Sequence, residues 1–102
     1  MIHVLATIQA APGRRADLLR EFHALLPQVR AEKGCIEYGP AVDVPTKIPA
    51  QPAPRPDVLV MVERWQDLHA LEAHLAAQHM ADFRAKTKEL VAQIQIQVLE
   101  PA

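Results

Sequence analysis

Residues 58 to 83 read VLVMVERWQDLHALEAHLAAQHMADF, and the order of local patterns within that stretch decides the fold. Val58, Val60 and Val62 alternate with Leu59, Met61 and Glu63. A period of two in β-branched and apolar residues predicts a strand buried on one face and partly on the other. The strand ends at Arg64 and Trp65. Asp67 then stands directly before Leu68, Leu71 and Leu75, where its carboxylate can accept the unpaired amide hydrogens of a helix start and complement the helix dipole. A strand therefore passes straight into a helix. At about 100° per residue, Leu68, Leu71 and Leu75 form one stripe, with His74 on its flank and His69 nearly opposite. His74 is expected to face a cavity and His69 to face water.

Upstream, Ile2, Val4, Ala6 and Ile8 alternate with His3, Leu5, Thr7 and Gln9, a strand with one apolar and one mixed face. Pro12-Gly13 stops it. Between about Arg14 and Ala31, Leu18, Leu19, Phe22, Leu25, Leu26 and Val29 recur at helical spacing. Pro27 lies inside that pattern and removes the bond to the carbonyl of His23, predicting a kink or a distorted last turn. Gly34 offers a left-handed cap. Cys35 to Val44 reads as a weaker strand, with Ile36, Tyr38 and Val42 on one side. Pro45, Pro49, Pro52, Pro54 and Pro56 make residues 45–56 an extended arm. That arm is either a solvated connector or, through Ile48, a contact for a partner subunit. Downstream, Met80, Phe83, Thr87, Leu90 and Val91 continue a helical pattern. Gln93 to Glu100 closes as a strand in which Ile94, Ile96 and Val98 oppose glutamines.

The order strand, helix, strand, strand, helices, strand predicts an α+β fold, a ferredoxin-like split β-α-β sheet with helices on one face. The Val and Ile rows are expected to meet the helices. A second face carrying Leu5, Leu59, Met61 and Leu99 among His3 and three glutamines is then too apolar for water, so another sheet should cover it. With 102 residues and no break in composition, residues 1–102 read as one domain with a thin core. Half the residues are hydrophobic (50%) and 23% are charged, which is unlike a disordered chain, and there is no apolar run long enough to span a membrane. Met1 leads directly into the strand pattern without a signal peptide, and the lone Cys35 has no internal disulfide partner, so a cytoplasmic location is expected. A net charge of -1 without a basic stripe argues against nucleic acid as a partner.

The spacing Glu63-x-Trp65, Leu71-x-x-His74-Leu75 and Gln78-His79-x-x-x-Phe83 resembles the antibiotic biosynthesis monooxygenase family, and within it the small bacterial quinol monooxygenases. The resemblance covers nearly the whole chain. It takes in the opening strand with Pro12-Gly13, Glu32-Lys33-Gly34-Cys35 leading to Tyr38, the Pro-rich arm, and Gln93 to Pro101. It implies two sheets packed face to face as a dimeric α/β barrel. It also implies a homodimeric, cofactor-independent monooxygenase that oxidises quinols or related dihydroxy-aromatic compounds with O₂. In such chemistry the electron-rich phenolate of the substrate reduces O₂ directly. By the resemblance His74 and His79 are the catalytic candidates, His74 being the base and Tyr38 or His79 orienting an oxygen. Glu63, Trp65, Met80 and Phe83 would line the substrate site.

Read without the family, each of these residues has a structural alternative. Imidazole can take and return a proton near neutral pH, but His74 also fits a hydrogen-bonded boundary position and His79 a helix junction. Trp65 and Glu63 suit either a cavity wall or a seal between strand and helix. Met80 and Phe83 fit the helix stripe equally well. No metal is expected, because His74 and His79 fall about 140° apart on a continuous helix and no Asp or Glu completes a familiar ligand spacing. The chain has only three glycines and neither a dinucleotide fingerprint nor a P-loop. Some relatives degrade haem with an asparagine, a tryptophan and a histidine. This chain has no asparagine, and their histidine falls near Arg84, so haem degradation is disfavoured. Two alternatives stay open: an isomerase acting on a small keto or phosphorylated metabolite, and a non-catalytic quinone-binding or stress-response barrel.

Overall fold

In the computed structural model, residues 1–102 form β1 (Ile2–Ala10), α1 (Arg15–Arg30), β2 (Cys35–Ala41), β3 (Val58–Trp65), α2 (Leu68–Ala76), α3 (Gln78–Thr87) and β4 (Val91–Leu99), with a 3₁₀ turn over Lys88–Leu90. The sheet order is β2-β3-β1-β4, and every neighbouring pair is antiparallel. Each helical crossover joins strands separated by one other strand, which is the ferredoxin-like split β-α-β arrangement. α1 buries Leu18, Phe22, Leu25, Leu26 and Val29 against the sheet. Pro27 does not end it. The helix continues to Arg30, and the amide of Ala31 donates to the Pro27 carbonyl at 3.2 Å, because a single missing donor on an exposed face leaves the apolar stripe intact.

Register corrects the expected faces of the sheet. Val4 lies opposite Glu63, Ala6 opposite Met61 and Ile8 opposite Leu59, and directly paired residues share a face. β1 presents Val4, Ala6 and Ile8 to the helices as expected, but β3 presents Leu59, Met61, Glu63 and Trp65, all buried. Val60 and Val62 point to the open face, where Leu5 and Leu99 are about two-fifths exposed. β4 sends Ile94, Ile96 and Val98 to the helix side, yet all three are exposed, since the helices stop short of this edge.

The second strand ends at Ala41, three residues earlier than expected. Residues 42–57 have no regular structure, and their base is closed by Arg55, whose guanidinium grips Asp43 through Nε at 2.8 Å and a terminal nitrogen at 2.9 Å. Arg15 adds bonds to the carbonyls of Arg55 and Val58. Val44 and Ile48 on the arm touch little of their own chain. No helix is long and apolar enough to cross a membrane.

Candidate active site

The site is built where β3 turns into α2. The carboxylate of Asp67 accepts the amide of Ala70 at 2.8 Å and starts the helix there. Ala77 adopts an extended conformation and separates α2 from α3, so the continuous helix assumed from the sequence does not exist. The buried stripe of α2 is also rotated from expectation. Leu68 and Leu75 are exposed, whereas Leu71 and His74 are buried, His74 to 2%. His69 faces solvent, as expected.

His74 is packed from three sides. Its ring lies against the indole of Trp65, with centroids 4.6 Å apart, and meets the edge of Tyr38 at 5.4 Å. Its Nδ1 is 2.8 Å from Glu32 Oε2, and the same oxygen is 2.7 Å from His79 Nε2. Glu32 comes from the turn after α1, 42 residues before His74, and no local spacing in the sequence announces it. Gly34 lets that turn close, with φ at +85°, and its carbonyl accepts the amide of Gln66 at 2.8 Å.

A cavity of about 430 Å³ opens between the sheet and α3. Tyr38, Glu63, His74, Met80 and Phe83 line it, together with Ala6, Ile8 and Met61 from the sheet and Ile94 and Ile96 from β4. Five sequence-derived candidates thus meet at one place. Trp65 and His79 do not line it. Trp65 is fully buried behind His74 and donates its indole N–H to Glu63 Oε1 at 2.9 Å. It seals the strand against α2, because a large ring at that register supplies burial that a small core needs. His79 sits on the outer side of Glu32 and is about one-quarter exposed. Arg84 was not singled out as a site residue by the sequence, yet it reaches the cavity and donates to the Leu75 carbonyl at 3.1 Å.

Every fully buried polar side-chain atom has a hydrogen-bond partner. The Tyr38 hydroxyl, the outer oxygen of Glu63 and Nε2 of His74 have no hydrogen-bond partner within the chain, so none of the three is fully buried, and all three residues line the cavity. An apolar chamber with three convergent polar atoms has the form of a small-molecule site. Its electrostatics suit proton transfer. Burial pushes the Glu63 carboxyl up to about 7, against the opposing Trp65 hydrogen bond. Burial lowers the His74 imidazolium, although Glu32 pulls it back up. Burial and the nearby carboxylates raise the Tyr38 phenol above its usual range. At neutral pH the site therefore offers a neutral imidazole, a neutral phenol and a carboxyl near its midpoint.

Glu32, His74 and His79 bring three ligand atoms within 4.8 Å of one another. Here the structure corrects the sequence argument that no acidic residue accompanies the histidines. The cluster is nonetheless closed on itself, since the Glu32 oxygen is hydrogen-bonded to both imidazoles. A cation there would have to break both bonds.

The family model for "Antibiotic biosynthesis monooxygenase" matches residues 1–86. "Probable quinol monooxygenase YgiN" of Escherichia coli K12 is 36% identical over 103 residues, covering 99% of this chain and 98% of that protein. Among solved structures, PA3566 from Pseudomonas aeruginosa superposes with a TM-score of 0.79 at 32% identity, covering 99% of this chain and 93% of the other. Rv0793 from Mycobacterium tuberculosis reaches the same TM-score at 26% identity, with 99% and 94% covered. With its fold and nearly its whole length shared with these proteins, the chain belongs to the antibiotic biosynthesis monooxygenase family.

Proposed function

We propose that the protein oxidises a quinol or related dihydroxy-aromatic compound with O₂, without flavin, haem or metal, and that it does so as a homodimer. The observation that carries this reading is the cavity in which Tyr38, Glu63 and His74 present unpaired polar atoms inside apolar walls. A flat ring fits between Met80, Phe83 and the sheet. His74 Nε2 takes the hydroxyl proton of the substrate, and the Tyr38 phenol donates a hydrogen bond to an oxygen of the ring.

The electron-rich phenolate then gives one electron to O₂, and the resulting radical pair combines to form a carbon–oxygen bond. Loss of the ring C–H proton and cleavage of the O–O bond leave one oxygen on the ring as a carbonyl. The other oxygen departs as hydroxide and leaves as water, with the proton returned by His74. Atoms and electrons balance: one quinol and one O₂ give one hydroxyquinone and one water. The protein contributes binding, water exclusion and a proton acceptor.

The test is oxygen uptake on a hydroquinone series, corrected for autoxidation, comparing the wild type with His74→Gln and Tyr38→Phe. His74→Gln is expected to lower kcat by about 10²- to 10⁴-fold, the range for loss of a general base. Oxygen uptake no faster than autoxidation in the wild type would remove the monooxygenase reading and leave isomerisation or a non-catalytic quinone-binding role, neither of which consumes O₂.

A further inference from the structure

We infer that Glu32 is a positioning residue for His74, holding its proton on Nδ1 so that the lone pair of Nε2 faces the cavity. The inference rests on the reading of His74 as the base, and deepens it.

The geometry leaves little choice. An ionised carboxylate only accepts hydrogen bonds, so a contact of 2.8 Å to Nδ1 requires that this nitrogen carry the hydrogen. A neutral ring has one N–H, and Nε2 is then bare. The carboxylate is itself restrained. His79 Nε2 meets the same oxygen at 2.7 Å from the solvent side, and the Gly34 turn is pressed onto Ala70 of α2. The ring is fixed in turn by two neighbouring rings that also pack on each other, Trp65 and Tyr38. Glu32 lies outside the cavity lining. It acts through His74 in two separable ways, by setting the tautomer and by stabilising the imidazolium that forms when His74 accepts a proton, which is the logic of a carboxylate behind a catalytic histidine.

Two substitutions separate those effects. Glu32→Gln keeps a carbonyl acceptor of the same size and removes the charge. Glu32→Ala removes the acceptor. With histidine nitrogen-15 labelled in the full chain, two-bond proton–nitrogen correlation spectra at neutral pH report which nitrogen of His74 carries hydrogen. The wild type and Glu32→Gln are expected to show the proton on Nδ1, and Glu32→Ala to show it wholly or partly on Nε2. Kinetics on the same proteins should give a fall in kcat on the order of 10- to 100-fold for Glu32→Gln, below the loss of the base itself, with KM unchanged.

The acid limb of kcat/KM should also move to lower pH in Glu32→Gln, because the charge that favours the His74 imidazolium is gone. Arg84 on α3, Glu63 on β3 and Tyr38 on β2 are common to both proteins and do not account for that movement. His79 on α3 loses the same carboxylate, and less positive charge on it would favour the His74 imidazolium, the opposite direction. A merely structural Glu32 would lower the melting temperature and leave both the tautomer and the acid limb where they were, which would overturn the inference, as would a wild-type His74 protonated on Nε2. If the wild type consumes no O₂ with any hydroquinone, the monooxygenase reading fails, and the spectra still decide whether Glu32 sets the tautomer.

Discussion

Glu63 and His74 both line the cavity and respond to burial with opposite signs, and their linkage to stability can be separated by mutation. A carboxyl raised in the folded state to about 7 from 4.5 binds its proton more tightly folded than unfolded. Its contribution to stability is therefore complete below about pH 4.5 and is lost as pH rises to about 7. His74, lowered by burial, has the reverse sign and loses stability as pH falls below 6.5. Glu63→Gln keeps the acceptor for the Trp65 indole and removes only the titration. The variant is expected to match the wild type near pH 4 and to exceed it above pH 7 by on the order of 1 to 3 kcal/mol, measured by urea unfolding across that range. A constant difference at all pH values would show that Glu63 does not titrate with folding.

His74→Ala is expected to cost about 2 kcal/mol or more, because it empties a buried ring site against Trp65. The flanking position read from Leu68, Leu71 and Leu75 implied a smaller cost, since a boundary ring leaves the main packing contacts in place. Those leucines misled because α2 has one flank at the cavity, where Leu75 lines the wall while staying partly exposed. The stripe that packs is Leu71 with His74. Glu32 was illegible for a different reason: it is joined to the histidines only through the fold, 42 and 47 residues away, and no local period encodes such a distance.

Among the elements, the turn between α1 and β2 decides whether the site assembles. A Cβ at Gly34 would stand 2.6 Å from the Cβ of Ala70, in a backbone conformation at φ +85° that other residues rarely adopt. Gly34→Ala should therefore cost on the order of 1 to 3 kcal/mol and draw Glu32 away from His74. Adding Ala70→Gly is expected to restore part of the loss, since it removes the clash but not the backbone strain. Full recovery in thermal melts would mean that strain at φ contributes nothing. The other elements were largely readable, and where they were not, the cause is specific. In β3 both rows are apolar, so a period of two could not say which row faces the helices. Trp65 had the answer, because it shares a row with Leu59, Met61 and Glu63, and the one tryptophan of a thin core belongs inside. The charge on Glu63 argued the other way. It is buried because the cavity gives its outer oxygen open space and Trp65 satisfies the inner one.

For the molecule as a whole, the corrected register changes the grounds for a dimer without removing them. Leu59 and Met61 are under the helices, so the apolar residues of the open sheet face are Leu5, Val60, Val62 and Leu99. On the opposite face of the sheet, Ile94, Ile96 and Val98 of the edge strand extend past the helices, between 43% and 55% exposed. Two of these, Ile94 and Ile96, are also walls of the cavity, so the chamber of one chain is open along β4, where a second chain would cover it. An apolar sheet face and an apolar edge on a chain of this size favour association. The expected outcome is a dimer at micromolar concentration by light scattering. Leu5→Glu is the informative variant. Leu5 makes no helix contact and is 39% exposed in the single chain, so the substitution should spare the fold of a monomer. In a dimer joined through the open face it would bury two unpaired carboxylates, shift the protein to monomer and make its melting temperature depend less on concentration. Oxygen uptake should fall with dissociation, through weaker substrate binding, if the partner closes the β4 side of the cavity. A wild type that scatters as a monomer would refute the assembly. A Leu5→Glu protein that stays dimeric would move the contact to the β4 edge, where Val98→Glu is the next variant to measure.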